Sequence, residues 1–322
     1  MIDISRVHIN HHRNYCNCKC IYCVWWRNPI RPLPIRPLLD ELLDSGIVNK
    51  NAIFVWGGGE STLLPEFADT VSWLLKNKFR QEVLTNGLQY SPAIGNMLRE
   101  GMGQVFISLD SGTEKTYRAI KGVNGFKPVI ETIKKYATSA RNIQDIVLKY
   151  IIFDKNNAKK EIDSFFDICS IIGKITVALS FDIRQVGNLS ISNKSKDAFL
   201  YFKQKAAENG HPYFDWMDFV YPGMSNALIS CGTRVYYWGC GEYYQIHKNN
   251  FSHCAPQYIL LDKNPDNLLE KDGIPVCHPS EMLPHGERLP IVIFALNPAP
   301  ILRTIAEKYP WYTAVTPRTL VL

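Results

Sequence analysis

Over the first two thirds of the chain, short β-branched and aromatic runs alternate with longer stretches whose apolar residues recur every three or four positions. The short runs, at 4–10, 52–57, 82–87, 104–110, 146–154 and 174–183, predict strands. The longer stretches, at 34–46, 64–78, 91–101, 125–140, 159–173 and 197–210, predict amphipathic helices. Several of these close on glycine, at Gly46, Gly101, Gly173 and Gly210, where a helix commonly needs a left-handed residue. Six strand–helix units in succession call for parallel strands joined by right-handed crossovers. Six is fewer than the eight of a closed barrel, so the expected fold is α/β, a partial, open (βα)6 barrel. In such a fold, chemistry sits on the loops that follow the strands.

The alternation breaks at 211–231, "HPYFDWMDFVYPGMSNALISC", and resumes beyond it. "RVYYWGCGEYYQ" reads as strand, glycine turn and helix, "QYILLD" as a strand ending in an acid, and "PIVIF" then "APILRTIAEKY" as strand and helix. The expected division is a barrel over 1–210, a linker over 211–231 and a small α/β domain over 232–322.

Composition narrows the class. The chain has 322 residues, 46% hydrophobic and 20% charged, as an ordinary globular protein does. Its net charge of +6 is dispersed, with clusters such as "KNKFR" and "IKKY" on helix faces, which disfavours nucleic acid and suits an anionic small substrate. The first residues lack the apolar core of a signal peptide, and no run is long enough to cross a bilayer, so a cytoplasmic protein with no membrane partner is expected. There thiols stay reduced. Nine cysteines, an odd number with four of them inside 16–23, do not make a disulfide framework.

Those four lie in "NYCNCKCIYC", just after the first predicted strand. Cys16, Cys20 and Cys23 form C-x3-C-x2-C and could reach three corners of an iron–sulfur cube, leaving the fourth iron open to a ligand. Zinc is the rival, with Cys18, His11 or His12 as fourth ligand, although zinc sites usually draw on two separated pairs and no second C-x2-C exists. Cys18 is expected to point away as a spare thiol. His8, His11 and His12 read as solvated more readily than as proton carriers.

The other strand ends carry matching chemistry. "GGGE" follows the second strand, "TNG" closes the third and "SLDS" closes the fourth. With the cysteine loop, these resemble the motifs of the radical S-adenosylmethionine (SAM) enzymes over roughly residues 4–210. The resemblance rests on Cys16, Cys20, Tyr22 and Cys23, on Gly58, Gly59 and Glu60, on Thr85, Asn86 and Gly87, and on Ser108 and Asp110; "YRAIKG" resembles the helix that follows the fourth strand.

The resemblance implies a 4Fe-4S cluster on Cys16, Cys20 and Cys23, with SAM chelating the open iron. An electron, from a flavodoxin- or ferredoxin-type donor, would cleave SAM to methionine and a 5′-deoxyadenosyl radical that abstracts hydrogen from the substrate. It implies SAM contacts at Gly58, Gly59 and Glu60, at the short polar Thr85, Asn86 and Ser108, and at Tyr22 beside the adenine. Asp110 joins them, with a buried capping acid as the alternative. Lys149, Asp182 and Arg184, at the fifth and sixth strands, would complete the set or else lie outside as surface charge.

Cys231, Cys240, Cys254 and Cys277 lack the tight pairs of an auxiliary cluster. Gly239-x-Gly241 after a strand, with Asp262 about twenty residues on, resembles a dinucleotide-binding turn whose third glycine is replaced by Tyr244. The region resembles Rossmann-like domains of sugar-modifying enzymes and implies a sugar or nucleotide-linked small molecule as substrate. A ribosomally made peptide is the alternative, and a zinc-stabilised binding protein the alternative from another class.

Overall fold

A computed structural model describes residues 4–23, 25–27, 29, 32, 34–182, 191–216, 235–248, 258–263, 265, 270–281, 290–295, 298–310 and 313–315. The chain divides into two compact units, residues 1–180 with 198–214, and residues 181–197 with 215–322.

In the first unit, seven strands stand side by side in chain order: β1 (Ile4–Ile9), β2 (Val48–Trp56), β3 (Arg80–Thr85), β4 (Gly103–Ser108), β5 (Ile146–Ile152), β6 (Thr176–Phe181) and β7 (Tyr213–Asp215). Each of β1 to β4 pairs with the next in parallel. The crossovers carry α1 (Arg36–Asp44), α2 (Phe67–Lys76), α3 (Pro92–Arg99), α4 (Glu114–Lys121), α5 (Phe126–Ser139), α6 (Lys159–Ile172) and α7 (Asn193–Glu208). This is the expected α/β architecture of a partial barrel. It departs from expectation at β7, which puts the start of the supposed linker 211–231 into the sheet. Residues 217–231 of that segment lie outside the described residues.

Strand register sorts the side chains by face. Phe54, Trp56, Gln81, Val83, Val105, Ile107 and Leu148 share one face and are fully buried. Helix α2 packs there: Phe67 meets the Trp56 ring at 4.9 Å, and Gln81 donates to the Val71 carbonyl at 3.1 Å while accepting from the Trp56 indole at 3.0 Å. The opposite face is unusual for a parallel sheet, which is normally apolar on both sides. It carries half-buried Arg6, Glu82, Gln104, Ser108 and Lys149, with Arg6 and Glu82 ion-paired across β2.

The second unit holds β8 (Val235–Trp238), β9 (Tyr258–Leu261), β10 (Glu270–Lys271), β11 (Ile274–Cys277), β12 (Pro290–Ile293) and β13 (Thr313–Val315), with α8 (Glu242–His247) and α9 (Ala299–Lys308). Its sheet runs β10-β11-β9-β8-β12-β13, parallel except at the β10–β11 hairpin. With β10 set aside, the parallel strands read 3-2-1-4-5, the order of a doubly wound sheet whose direction of travel reverses between β8 and β12. Trp238, Leu261, Ile291, Ile293 and Ile305 form its core.

Candidate functional site

The cysteine loop is held from two sides. Below, the Lys19 N–H donates to the Lys121 carbonyl at 2.9 Å and the Ile21 N–H to the Ile120 carbonyl at 2.9 Å. A helix leaves its last four carbonyls without helical partners, and the loop supplies donors to two of them at the end of α4. Gly122 closes that helix at φ +70°, pressed so near that a Cβ would stand 2.7 Å from the Lys19 carbonyl oxygen. On the other side stands the glycine run after β2. A Cβ on Gly59 would lie 2.2 Å from the carbonyl oxygens of both His12 and Tyr15, and the Glu60 N–H donates to that Tyr15 carbonyl at 2.8 Å. Gly58, at φ +91°, takes the left-handed turn that brings the two loops together.

Within the loop, Cys16, Cys20 and Cys23 are half-buried free thiols. Cys18 does not point away as its spacing suggested. It is 2% exposed, its N–H donates to Cys16 Sγ at 3.4 Å, and its thiol is in hydrogen-bond reach of the sulfurs of Cys16 and Cys20. That sharing holds the Cys16 thiol below its ordinary pKa and brings Cys20 down to about 6, where Lys121 and Tyr22 assist, while Cys18 itself is pushed up. Asn86 Nδ2 reaches toward Cys16 Sγ at 3.8 Å and donates to Asn17 Oδ1 at 2.7 Å. Among the described residues no three His, Cys, Asp or Glu side chains converge on one metal ion. A 4Fe-4S cube takes each thiolate on its own iron, so these thiols need not converge to hold one.

Glu60 is buried and joins the second strand end to the third. Its Oε1 accepts from Thr62 Oγ1 and Thr85 Oγ1, both at 2.7 Å, and its Oε2 from the Asn86 N–H at 2.7 Å. Burial holds its pKa above the ordinary value against these donors. A carboxylate oxygen accepts two or more bonds, so Oε2 keeps capacity for an ammonium group.

Asp110 turns inward at φ +56° and is fully buried. It pairs with the equally buried Lys121 and accepts from Tyr22 Oη at 3.2 Å and from the Ile151 N–H at 2.8 Å. Lys121 Nζ also donates to Tyr22 Oη at 2.9 Å. The Tyr22 ring stacks on Phe153, 5.2 Å between centroids and 13° apart, so one of its two faces is already taken. Ser108 and Lys149 sit opposite each other in the β4–β5 register, both half-buried; desolvation brings the Lys149 pKa down to about 8. Asp182 is buried just beyond β6, and Arg184 lies outside the described residues.

The residues fit a cluster in one further respect. Tyr117 on α4 is fully buried, yet among the described residues its hydroxyl has no hydrogen-bond partner. After burial, the influences that raise its pKa are the charges of Cys18 and Cys20, in that order. A buried hydroxyl without a partner among the described residues suits a site that an acceptor from outside the chain would complete.

Residues 10–165 match the family described as the radical SAM superfamily. The chain carries a radical SAM domain over those residues. Radical SAM enzymes use a 4Fe-4S cluster and SAM. Mycofactocin maturase MftC of Mycobacterium tuberculosis is 26% identical over 247 residues, 75% of this chain and 54% of the relative. Molybdenum cofactor biosynthesis protein 1 of Bos taurus is 28% identical over 130 residues, 37% of this chain and 20% of the relative. The chain thus spans about half the length of the maturase and less of the other. Among solved structures, Streptococcus suis SuiB bound to precursor peptide SuiA superposes with a TM-score of 0.51 at 14% identity, over 67% of this chain and 49% of SuiB. Native anSMEcpe with bound AdoMet and the Kp18Cys peptide gives 0.51 at 15%, over 68% and 65%. These superpositions bear on the fold.

Sequence reasoning missed Lys121 and Tyr117, and it read His12 as solvated, whereas that ring is buried and its Nε2 meets Ser61 Oγ at 2.9 Å. The signal for the first two lay in "YRAIK", where Tyr117 and Lys121 stand four residues apart on one helix face.

Proposed function

We propose that this chain binds a 4Fe-4S cluster through Cys16, Cys20 and Cys23 and SAM through the neighbouring strand ends, and abstracts hydrogen from a small-molecule substrate. The observation that carries the reading is the joining of four strand ends in one hydrogen-bonded assembly: the cysteine loop, Gly58–Glu60, Thr85–Asn86 and the β4 end at Ser108–Asp110. When bound, cluster and SAM supply reductive cleavage to a 5′-deoxyadenosyl radical. The chain does the rest. Gly58 and Gly59 let backbone approach the methionine moiety, Glu60 accepts from its ammonium, and Thr85, Asn86 and Ser108 offer short polar contacts. Lys149 and Asp182 stand at the fifth and sixth strands as further contacts, and Arg184 remains a candidate by sequence. Asp110 acts from behind, by fixing Tyr22. A flavodoxin- or ferredoxin-type protein would deliver the electron.

For the substrate, the 3-2-1-4-5 strand order of the second unit supports a sugar or nucleotide-linked molecule, since such sheets take nucleotides where the order reverses. Peptide modification is the second reading, supported by the likeness to mycofactocin maturase and by the fold shared with SuiB bound to its precursor peptide. The deciding experiment incubates reduced protein and SAM with sugar nucleotides in one series and with short peptides encoded beside the gene in another, counting 5′-deoxyadenosine. A rise with sugar nucleotides alone supports the first reading, and a rise with peptides alone the second. Colourless protein that carries zinc and never cleaves SAM would remove both.

A further inference from the structure

The cysteine loop has a buried side, toward α4 and the glycine run, and an exposed one. From Ile4 to Leu39 the sequence has six Lys and Arg and no Asp or Glu. Arg6 and Arg36 are committed to ion pairs with Glu82 and Asp40. Arg13, Lys19 and Arg27 are exposed, and none of the three is ion-paired to a described residue. Apolar surface lies among these charges. A 3-10 turn at Trp25–Arg27 follows the last cysteine, and the Trp26 indole N–H donates to the Cys20 carbonyl at 3.3 Å, which lays the turn against the loop. Next in sequence to either end of that bond, Trp25 is 46% exposed and Ile21 36%. The Arg13 guanidinium stands 4.8 Å over the Trp25 ring, and that of Arg27 5.6 Å over the Trp26 ring. Exposed tryptophan set among arginines is the make-up of a protein-binding surface, in which an aromatic centre anchors and a charged rim steers.

We propose that this face, with Arg13, Lys19, Ile21, Trp25 and Arg27, is the docking surface for an acidic electron-carrier protein. The proposal rests on the cluster reading above. Charge sets the partner's sign, since unpaired cations attract an acidic surface. A nucleic acid would draw on a long stripe of cations for successive phosphates, whereas here three cations surround an apolar patch. Location sets the partner's task. The surface is carried by the cysteine loop itself, and the Trp26–Cys20 bond joins it to a candidate ligand. Redox partners meet through small, transient interfaces, which one turn and one loop suffice to make. In the step, the partner is oxidised by one electron and the cluster reduced by one, and no bond forms or breaks between the two proteins.

The test compares reductants on the reconstituted full chain. Dithionite, a small ion, needs no docking surface; an acidic flavodoxin and, in parallel, an acidic ferredoxin do. In R13E/R27E, SAM cleavage driven by the better protein donor, at low salt and below saturation, falls about tenfold, while iron content and dithionite-driven cleavage stay within about twofold of wild type. W25A lowers the donor-driven rate about threefold, and R27K stays near wild type. Binding is read apart from activity: calorimetry finds the oxidised donor bound to the wild-type chain, more weakly as salt rises, and not to R13E/R27E. Should R13E/R27E load no iron, R27E and W25A decide by the same measurements. Donor-driven rates and binding that are equal in wild type and variants overturn the proposal, as does a wild-type chain served by dithionite and by neither protein. Single-stranded RNA binding that R13E/R27E abolishes, beside an unchanged donor-driven rate, gives the surface to nucleic acid and overturns it too. A wild-type chain that takes up no iron and cleaves no SAM with dithionite overturns the reading beneath, and this proposal with it.

Discussion

Two glycine turns follow parallel strands in this chain, one after β2 and one after β8, and they do different work. At the first, a Cβ on Gly59 would lie 2.2 Å from two carbonyl oxygens of the cysteine loop, so the glycine is where two functional loops touch. Glu60, the next residue, is buried and accepts from three neighbours in two strand ends. At the second, a Cβ on Gly239 would stand 2.5 Å from the Phe294 carbonyl oxygen, whereas one on Gly241 would meet none of the described residues within 4 Å. Helix α8 behind it has only six residues, and Tyr244 fills the place of a third glycine with a buried ring. Local sequence marks both as turns. The first is surrounded by groups with chemistry to perform, and glycine alone would not have told the two apart.

The largest expected effect breaks the first turn's partner. Replacing Cys16, Cys20 or Cys23 with Ala takes iron from about four per chain toward none and ends SAM cleavage. Cys18→Ala is the informative control. It removes the hydrogen bonds to Cys16 and Cys20 but no assigned ligand, so iron stays near wild type. An empty Cys18→Ala protein alongside a loaded Cys16→Ala protein would reverse the ligand assignment.

Gly59→Ala comes next. A methyl group forced against two backbone oxygens cannot be absorbed by a flexible side chain, so the cysteine loop must shift. The expected cost is about 3 kcal/mol, the upper end for overpacking, with SAM affinity falling at least tenfold. Denaturant unfolding and equilibrium dialysis read the two quantities. Retained stability and affinity would show that the loops do not depend on this contact.

Much of this was legible in the chain. The six strands of the barrel, the four strand-end motifs and the glycine helix ends at Gly46, Gly101, Gly173 and Gly210 follow from periodicity and punctuation, which are local. What escaped was direction. Nothing in "SLDS" says that Asp110 adopts φ +56° and turns its carboxylate inward to Lys121, eleven residues on. Nothing in "CNCKC" says that Cys18 tucks between its neighbours, because that depends on a loop pinned at both ends by distant segments. β7 escaped because three residues carry too little pattern to read as a strand.

His12 sharpens the contrast at intermediate size. It is 1% exposed beside Ser61, and burial brings its pKa from 6.5 to about 4, with His11 adding to the shift. The unfolded chain therefore binds a proton below pH 6.5 that the folded chain refuses until about pH 4. Between those values the unfolded state carries more protons, so stability rises with pH, by ~3 kcal/mol at most. His12→Asn should flatten that slope in unfolding measured from pH 4 to 7. A slope that persists assigns the effect elsewhere.

The smallest effects belong to the second turn, where two glycines two residues apart should answer oppositely. Gly239→Ala presses a methyl against the Phe294 carbonyl and must hold φ +105°, so the second unit loses about 1–3 kcal/mol. Gly241→Ala meets none of the described residues at φ −77°, an ordinary conformation for any residue, and should change stability by less than about 0.5 kcal/mol. The silent variant is the one with functional content. If Gly241 is glycine so that a ligand's phosphates can approach the backbone, Gly241→Ala keeps its unfolding curve yet weakens nucleotide binding measured by calorimetry. If the turn is only a packing corner, neither quantity moves, and the substrate must be recognised without it.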